Sequence, residues 1–585
     1  MQQIFPWNTM MKKRFCVLTN VLALLSVSSI VAMVLSLPAK AADSHDHSMS
    51  TAPVTPATLT EWAQGAKIFA GLGSAHRRIS TRSREAQQYF DQGMRFMWAF
   101  NHDEASRSFA RAAVSDARCA MCLWGFALTV GPNYNMPMMA EPRAKAAYAA
   151  LQKATRLEKS VTPVERDLIE ALRARYPRPV ALDPSNAGPV LSAYADAMRT
   201  VAHRYPEDSD VQTMFAESLM NINAWKLWTL DGKPNTGTEE IVATLEAVLK
   251  RDPQHPGANH YYIHAIEASP HPEKGAGAAE RLNGMMPAAG HLEHMPAHIL
   301  QRVGRYEEAA EANRKGYAAD QAYLQATQPP DYYPMYLVHN LQFLAYSAAM
   351  EGRKQEAITA SRQMRQQFPE SAMLASPGFD WVVGALPYMV MVRFAAWEPV
   401  LAEPAPNPAL QGLTGGYLFA RTQALASTGQ LPAARQTLDQ LRALRAAVSK
   451  EAPAGNNNLA DVLNLAYTVS LATVQSAGGE HDASIMTLAA AVGLEDALAY
   501  DEPSAWFFPV RHLLGAKLMS VKRYSDAEAV YREDLRHNPD NGWGLFGLSQ
   551  ALRAQGKTAE AAQTDSLFEK AWQHADVTLT SSASN

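Results

Sequence analysis

The feature that most limits how this chain can fold is a pattern of small and aromatic residues recurring about every 34 positions. In GRYEEAAEA, Gly304–Ala312, a turn glycine precedes a run whose alanines share one helical face. Taking Ala309 as the small packing residue of a second helix, Ala297 falls at the matching small position of the first. That unit starts at Gly290, and the unit before it starts at Pro256 and carries Pro287 near its end. The two units follow one another without an insertion. A helix pair of this size cannot bury its apolar faces alone, so successive pairs must stack.

The same register recurs along the chain. Gly93, Phe96, Ala105, Phe109 and Ala112 fit it, as do Gly515, Leu518, Tyr524, Ala527, Tyr531 and Pro539. AQGKTAEAAQ at Ala554–Gln563 continues the last unit, Gly352, Ala357 and Pro369 mark another, and Gly429 with Ala434 a weaker one. These residues look like tetratricopeptide repeats. FDQGMRFMWAFNHDEASRSFARAA, CAMCLWGFALTVGPNYN, HYYIHAIEASP and HLEHMPAHILQRVGRYEEA resemble a group of secreted bacterial tetratricopeptide-repeat proteins, most clearly over about residues 80–370. The resemblance implies an all-α, right-handed α-solenoid of tetratricopeptide-type helix pairs with loop insertions. It implies that first-helix positions line a concave groove that recognises a protein or peptide. It implies no activity, and no catalytic residue is assigned. A composition of 47% hydrophobic and 19% charged residues, with few β-branched runs, agrees with a helical globular chain.

Residues 1–41 read as a signal peptide. Lys12, Lys13 and Arg14 precede the apolar run Cys16–Leu37, and Ala39-Lys40-Ala41 is a small-x-small cleavage site. Met11 is a plausible start, and an uncleaved anchor is the alternative. Export to a bacterial periplasm follows, with no membrane span after cleavage. Removal of 1–41 takes four cations and no anions, lowering the net charge from −4 to −8. That balance argues against nucleic acid as a partner. Residues 42–58 read as a disordered tail in which His45, His47 and Met49 could hold a metal loosely. An N-terminal repeat array is expected over 59–402, a linker over 403–412, a C-terminal array over 413–575 and a disordered tail over 576–585. Gly131–Arg143, Asp231–Thr238 and Gln328–Pro334 read as insertions, and Lys450–Asn458 as a soft spot.

Histidines concentrate in the two tandem units. His260, His264 and Glu267 are spaced i, i+4, i+7, and His291, His294 and His298 i, i+3, i+7, so each set shares a helical face. Neighbouring first helices would point both sets into one groove, where imidazoles could hold a divalent transition metal, zinc or copper, with Glu267 or His291 in support. HLEH and HMPAH are not the HExxH of zinc proteases. The bland alternative is a polar groove that hydrogen-bonds peptide. His339 falls at the second position of the next recognisable unit, after a short insertion, and His512 lies in a distant one. Cys119 and Cys122 form a lone CxxC, which lacks the ligands of a structural zinc site. A local disulfide is expected in an oxidising compartment, with a soft-metal pair aided by Met121, Met136, Met138 and Met139 as the alternative. Two functions follow: a scaffold for a protein or peptide, or a metal-binding protein or metalloenzyme using the 260–298 histidines.

Overall fold

The computed structural model describes residues 55–183, 185–327 and 333–583. The expected signal segment 1–41 and His45, His47 and Met49 lie outside them. Within them the protein is an all-α solenoid of helix pairs. Arg84–Trp98 packs on His102–Ser115, Tyr306–Ala326 on Pro334–Met350, Leu459–Ala477 on His481–Asp496 and Gly542–Ala554 on Thr558–Ala571. Side-chain caps start several helices. Ser83 accepts from the Ala86 amide, Asp208 from Val211, and Thr162 forms a capping box with Glu165. The one strand pair among the described residues joins Pro453–Ala454 to Asn457–Asn458, antiparallel, inside the stretch read as a soft spot.

The small-residue positions do what their register requires. A Cβ on Gly93 would stand 2.7 Å from the Phe109 ring, and one on Gly515 2.4 Å from the Tyr531 ring. The missing side chain is therefore the seat of the aromatic from the partner helix. The turn between the helices of a pair needs left-handed backbone one residue before the second helix's N-cap. Glycine supplies it at Gly304, Gly352 and Gly556, whereas Phe100, Ala395 and Lys522 adopt it with a side chain.

The insertions Gly131–Arg143 and Asp231–Thr238 are folded rather than loose, whereas residues 328–332 of the third lie outside the described residues. Asn133 bridges to Met136, Met139 to Leu182 and Trp228 to Pro234. Among the described residues, no helix is long and apolar enough to cross a membrane.

The hydrophobic core divides elsewhere than the sequence suggested. One large cluster runs from Trp62 to Ile299 and another from Tyr306 to Ala561. Residues 403–412, expected to link two arrays, run along the second cluster, with Leu410 as its one member there. Leu410 is buried there, and Trp397–Ala402 packs on Gln411–Ser427. A Pro-rich sequence marks a bend in the chain, but burial of flanking apolar faces decides whether the bend separates domains. The expected disordered C-terminal tail is also ordered as far as residue 583. The Asp576 carboxylate accepts from the Lys354 and Gln355 amides at 2.7 and 2.9 Å, and buried Ser582 donates to the His512 carbonyl at 3.1 Å.

The C-terminal repeats return to the middle of the chain. The Trp543 indole donates to the Ala349 carbonyl at 2.8 Å, and a Cβ on Gly352 would meet the Trp572 ring at 2.2 Å. Across the N-terminal half, Tyr323 donates to Glu104 at 3.1 Å and Tyr336 to the Phe100 carbonyl at 3.3 Å. These contacts join segments some 200 residues apart in sequence.

Candidate functional site

Helix Pro256–Ile266 carries His260 and His264, with Glu267 as its C-cap residue. Its N-cap, His255, accepts from the Ala258 amide through Nδ1 at 3.0 Å. The next unit supplies His291 and His294 from Gly290–His294 and His298 from Pro296–Arg302. The sequence spacing suggested one uninterrupted helix here. Its assigned helical residues break at Met295, where the following proline lacks an N–H to donate. The three imidazoles still converge with those of the preceding unit.

All six expected residues come together, but in the interior. His260 and His294 have no exposed surface, and the other four are buried. The groove reading placed them on an accessible concave wall; aromatic side chains from other segments bury them instead. Phe100 lies 4.5 Å from the His260 ring and 5.8 Å from the His291 ring, centre to centre. Tyr134 and Trp225 lie 5.2 and 5.7 Å from the His264 ring, and Phe343 lies 4.7 Å from the His298 ring.

The hydrogen bonds orient the rings. His260 Nδ1 is 2.6 Å from the Trp98 carbonyl, so it carries the proton. His294 Nδ1 is 2.6 Å from Asn313 Oδ1, and the Asn313 amide nitrogen donates to the Ala309 carbonyl, which fixes Oδ1 as an acceptor. Glu267 spans two rings, with Oε1 2.8 Å from His264 Nδ1 and Oε2 2.5 Å from His298 Nδ1. Four imidazoles therefore give Nδ1 to an acceptor and turn Nε2 inward. His294 and His298 Nε2 lie 2.7 Å apart, and His260 and His291 Nε2 lie 3.1 Å apart. His264 Nε2 and His291 Nδ1 are buried without a partner.

Two residues outside the expected set complete the cluster. His339, from Pro334–Met350, has its ring 4.8 Å from that of His294. Glu502 arrives from the segment between His481–Asp496 and Val510–Ser520, with Oε2 3.2 Å from His298 Nδ1 and Oε1 buried unpartnered. His339 had a sequence signal in its repeat position. Glu502 had none, because neither spacing nor composition joins it to a helix some 200 residues earlier. The ligand atoms fall into three close sets, each within 4.8 Å: His260, His264 and His291; His294, His298 and His339; and His264, Glu267, His298 and Glu502.

Burial holds His260, His291 and His294 well below the ordinary histidine range. It also pushes His264 down to about 3, with the His298 charge adding to the effect, and His339 down to about 4. His298 is the exception. Burial opposes its charge, but the Glu502 and Glu267 carboxylates raise it to about 10. Burial, reinforced by the Glu267 charge, raises Glu502. Apart from His298, the histidines of the cluster are thus held in the neutral form that ligates metal.

His512 lies in a separate cluster. Its Nε2 is 2.7 Å from Asp534 Oδ2, and Arg393 approaches its Nδ1 at 2.9 Å. Cys119 and Cys122 form a disulfide at the start of Ala120–Thr129. Of the nearby methionines, Met121 and Met139 are core residues and Met136 lines the cavity beside the histidines.

No known family matches the sequence, and no curated protein does. Among solved structures, similarity is found to the human IFIT1 dimer with m7Gppp-AAAA, at 12% identity over 78% of this chain and 90% of that one, with a TM-score of 0.31. It is also found to the APC/C hetero-tetramer Cut9-Hcn1, at 13% identity over 86% and 79%, with a TM-score of 0.28. The fold and site define an all-α helical-repeat protein whose adjoining repeats enclose a histidine–carboxylate cluster.

Proposed function

We propose that this protein binds divalent transition metal in the cluster formed by His260, His264, His291, His294, His298 and His339, with Glu502 beside it. The observation that supports this is the orientation of the rings. The neutral imidazoles of His260, His264 and His294 each have the outward nitrogen tied to a carbonyl, carboxylate or amide oxygen, so the lone pair is presented inward, and His298, oriented the same way, would give up its second proton to a metal. Such partners fix tautomer and basicity at known metal-binding histidines. Glu267 serves as the orienting partner of His264 and His298, and the inward nitrogens belong to neighbouring rigid helices. Imidazole-rich donor sets suit zinc or copper, and three imidazoles leave a coordination position open.

The experiment is metal analysis of the purified full-length protein, without an affinity tag of histidines, beside the double variant His264→Ala, His298→Ala. Wild type should hold stoichiometric zinc or copper, and the variant should lose it while keeping its helical circular dichroism. Chelation should lower the wild-type Tm, because a ligand that binds only the folded state adds about 4 kcal/mol at a thousandfold excess over Kd. Full metal loading of the double variant would refute the assignment.

The repeat fold also supports a scaffold for a protein or peptide, on surfaces outside the closed interior. Export fits Lys12–Arg14, the apolar run and Ala39-Lys40-Ala41, and N-terminal sequencing from cells should then find Ala42 first.

A further inference from the structure

Beside the histidines lies a cavity of ≈ 180 Å³. Its walls include Met136, Trp225, Met335, Val338, Phe379 and Val383, and it reaches His264, His291, His298 and Glu502. Apolar walls with a donor-rich end suit a ligand with a hydrocarbon body and one polar group. The volume sets the body's size, since a dry cavity of about 150 Å³ holds a benzene ring.

Four lining residues hold buried atoms without a hydrogen-bond partner: His264 at Nε2, His291 at Nδ1, Asn135 at Oδ1 and Glu502 at Oε1, its Oε2 having only the ion-pair contact with His298. The two oxygens can accept, and each ring nitrogen can offer a lone pair. An unpaired buried acceptor costs about 1–3 kcal/mol, so the set favours electrophilic occupants. Metal at the histidines answers the first two, with Glu502 beside them. Asn135, on the inserted stretch before Glu141–Leu157, is neither histidine nor carboxylate, and its buried, unpartnered oxygen is left to accept a ligand's O–H.

Position and strain point to the same place. Trp225, Asn456 and Asp501 line both this cavity and a larger surface hollow of ≈ 900 Å³, so the two spaces lie on either side of these residues. Trp225 holds φ at +63°, an unusual backbone for a bulky residue, and stacks on Tyr134 with ring centres 5.1 Å apart.

We propose that the cavity binds phenols, a single aromatic ring bearing a hydroxyl, with the hydroxyl oxygen completing the metal's coordination and its O–H directed to Asn135. This rests on the metal reading above and adds the ligand class to it.

The test uses the full chain loaded with cobalt(II), whose visible absorption reports its ligands. Metal content is measured first, then phenol and 2-naphthol are titrated separately. Phenol should shift the cobalt spectrum saturably at one equivalent per site. Asn135→Leu should weaken phenol about tenfold, the loss of one hydrogen bond, at unchanged metal content. 2-Naphthol, too large for the cavity, should leave the spectrum unchanged. A chain that takes up no metal would overturn both readings. A loaded chain that ignores phenol, binds naphthol as tightly, or is indifferent to Asn135→Leu would overturn the phenol assignment and leave the metal reading standing.

Discussion

At the scale of single residues, backbone conformation and burial set the local free energies. Lys522 occupies a turn position that Gly304 and Gly352 fill elsewhere, at φ +63°. A left-handed residue with a Cβ costs roughly 1–2 kcal/mol, and glycine's extra unfolded-state entropy offsets about 0.5–1 kcal/mol of that. Lys522→Gly should therefore stabilise the protein by about 0.5–1 kcal/mol, read as a higher urea midpoint at unchanged m-value. Asp320 shows the burial side. It has no exposed surface, and burial raises its carboxyl to about 7 although Tyr333 and Asn340 both donate to it at 2.8 Å. The folded state then holds a proton that the unfolded state releases near its ordinary value of 3.8. Its contribution is full below that pH and is lost as pH rises toward about 7. The stability of wild type relative to Asp320→Asn should accordingly fall between about pH 4 and 7, and denaturant melts across that window measure it. A difference that grows with pH would contradict the protonated assignment.

At the scale of elements, the helix pair depends on a small residue facing an aromatic. Gly93 and Gly125 both seat Phe109, where an added Cβ would come within 2.7 and 2.6 Å of the ring. Gly93→Ala should cost about 1–3 kcal/mol by overpacking, more than the few tenths to one kcal/mol that alanine's helix propensity returns. Thermal melts of the variant beside wild type read the sign. The same geometry explains what was legible in the sequence. Small residues and aromatics at fixed spacing are the physical requirement of close helix approach, so the repeat register and the two histidine faces could be read from it. The break at Met295 could also be anticipated from Pro296, yet the interrupted helix still brings His291, His294 and His298 into one cluster with the histidines of the preceding unit.

At the scale of the whole molecule, closure changes the meaning of the repeat array. Trp543 against Ala349 and Trp572 against Gly352 tie the last repeats to the middle of the chain, and the segment carrying Glu502 reaches the histidines of the first half. Glu502→Gln should weaken metal binding by about 10- to 100-fold, the usual effect of removing a supporting carboxylate, with little loss of helix. Competition with a chromophoric chelator measures the change. A chain ending at Ala402 should fail to melt cooperatively by circular dichroism. It would cut through the Tyr306–Ala561 core and leave Ala349 and Gly352 without Trp543 and Trp572.

The sequence alone determined the elements and their local pairing, because helix periodicity and small-to-aromatic spacing are properties of neighbouring residues. It also brought His260, His264, Glu267, His291, His294 and His298 together, since two adjoining units in one register must present equivalent faces. Which way those faces look was decided by the tertiary structure. Burial depends on contacts between segments far apart in the chain, and no local pattern encodes that Phe100, Tyr134, Trp225 and Glu502 would converge there. The register predicts a groove; the inward packing of these side chains makes it an enclosed, desolvated interior. That desolvation keeps most of the imidazoles neutral, while the Glu267 and Glu502 carboxylates hold His298 charged.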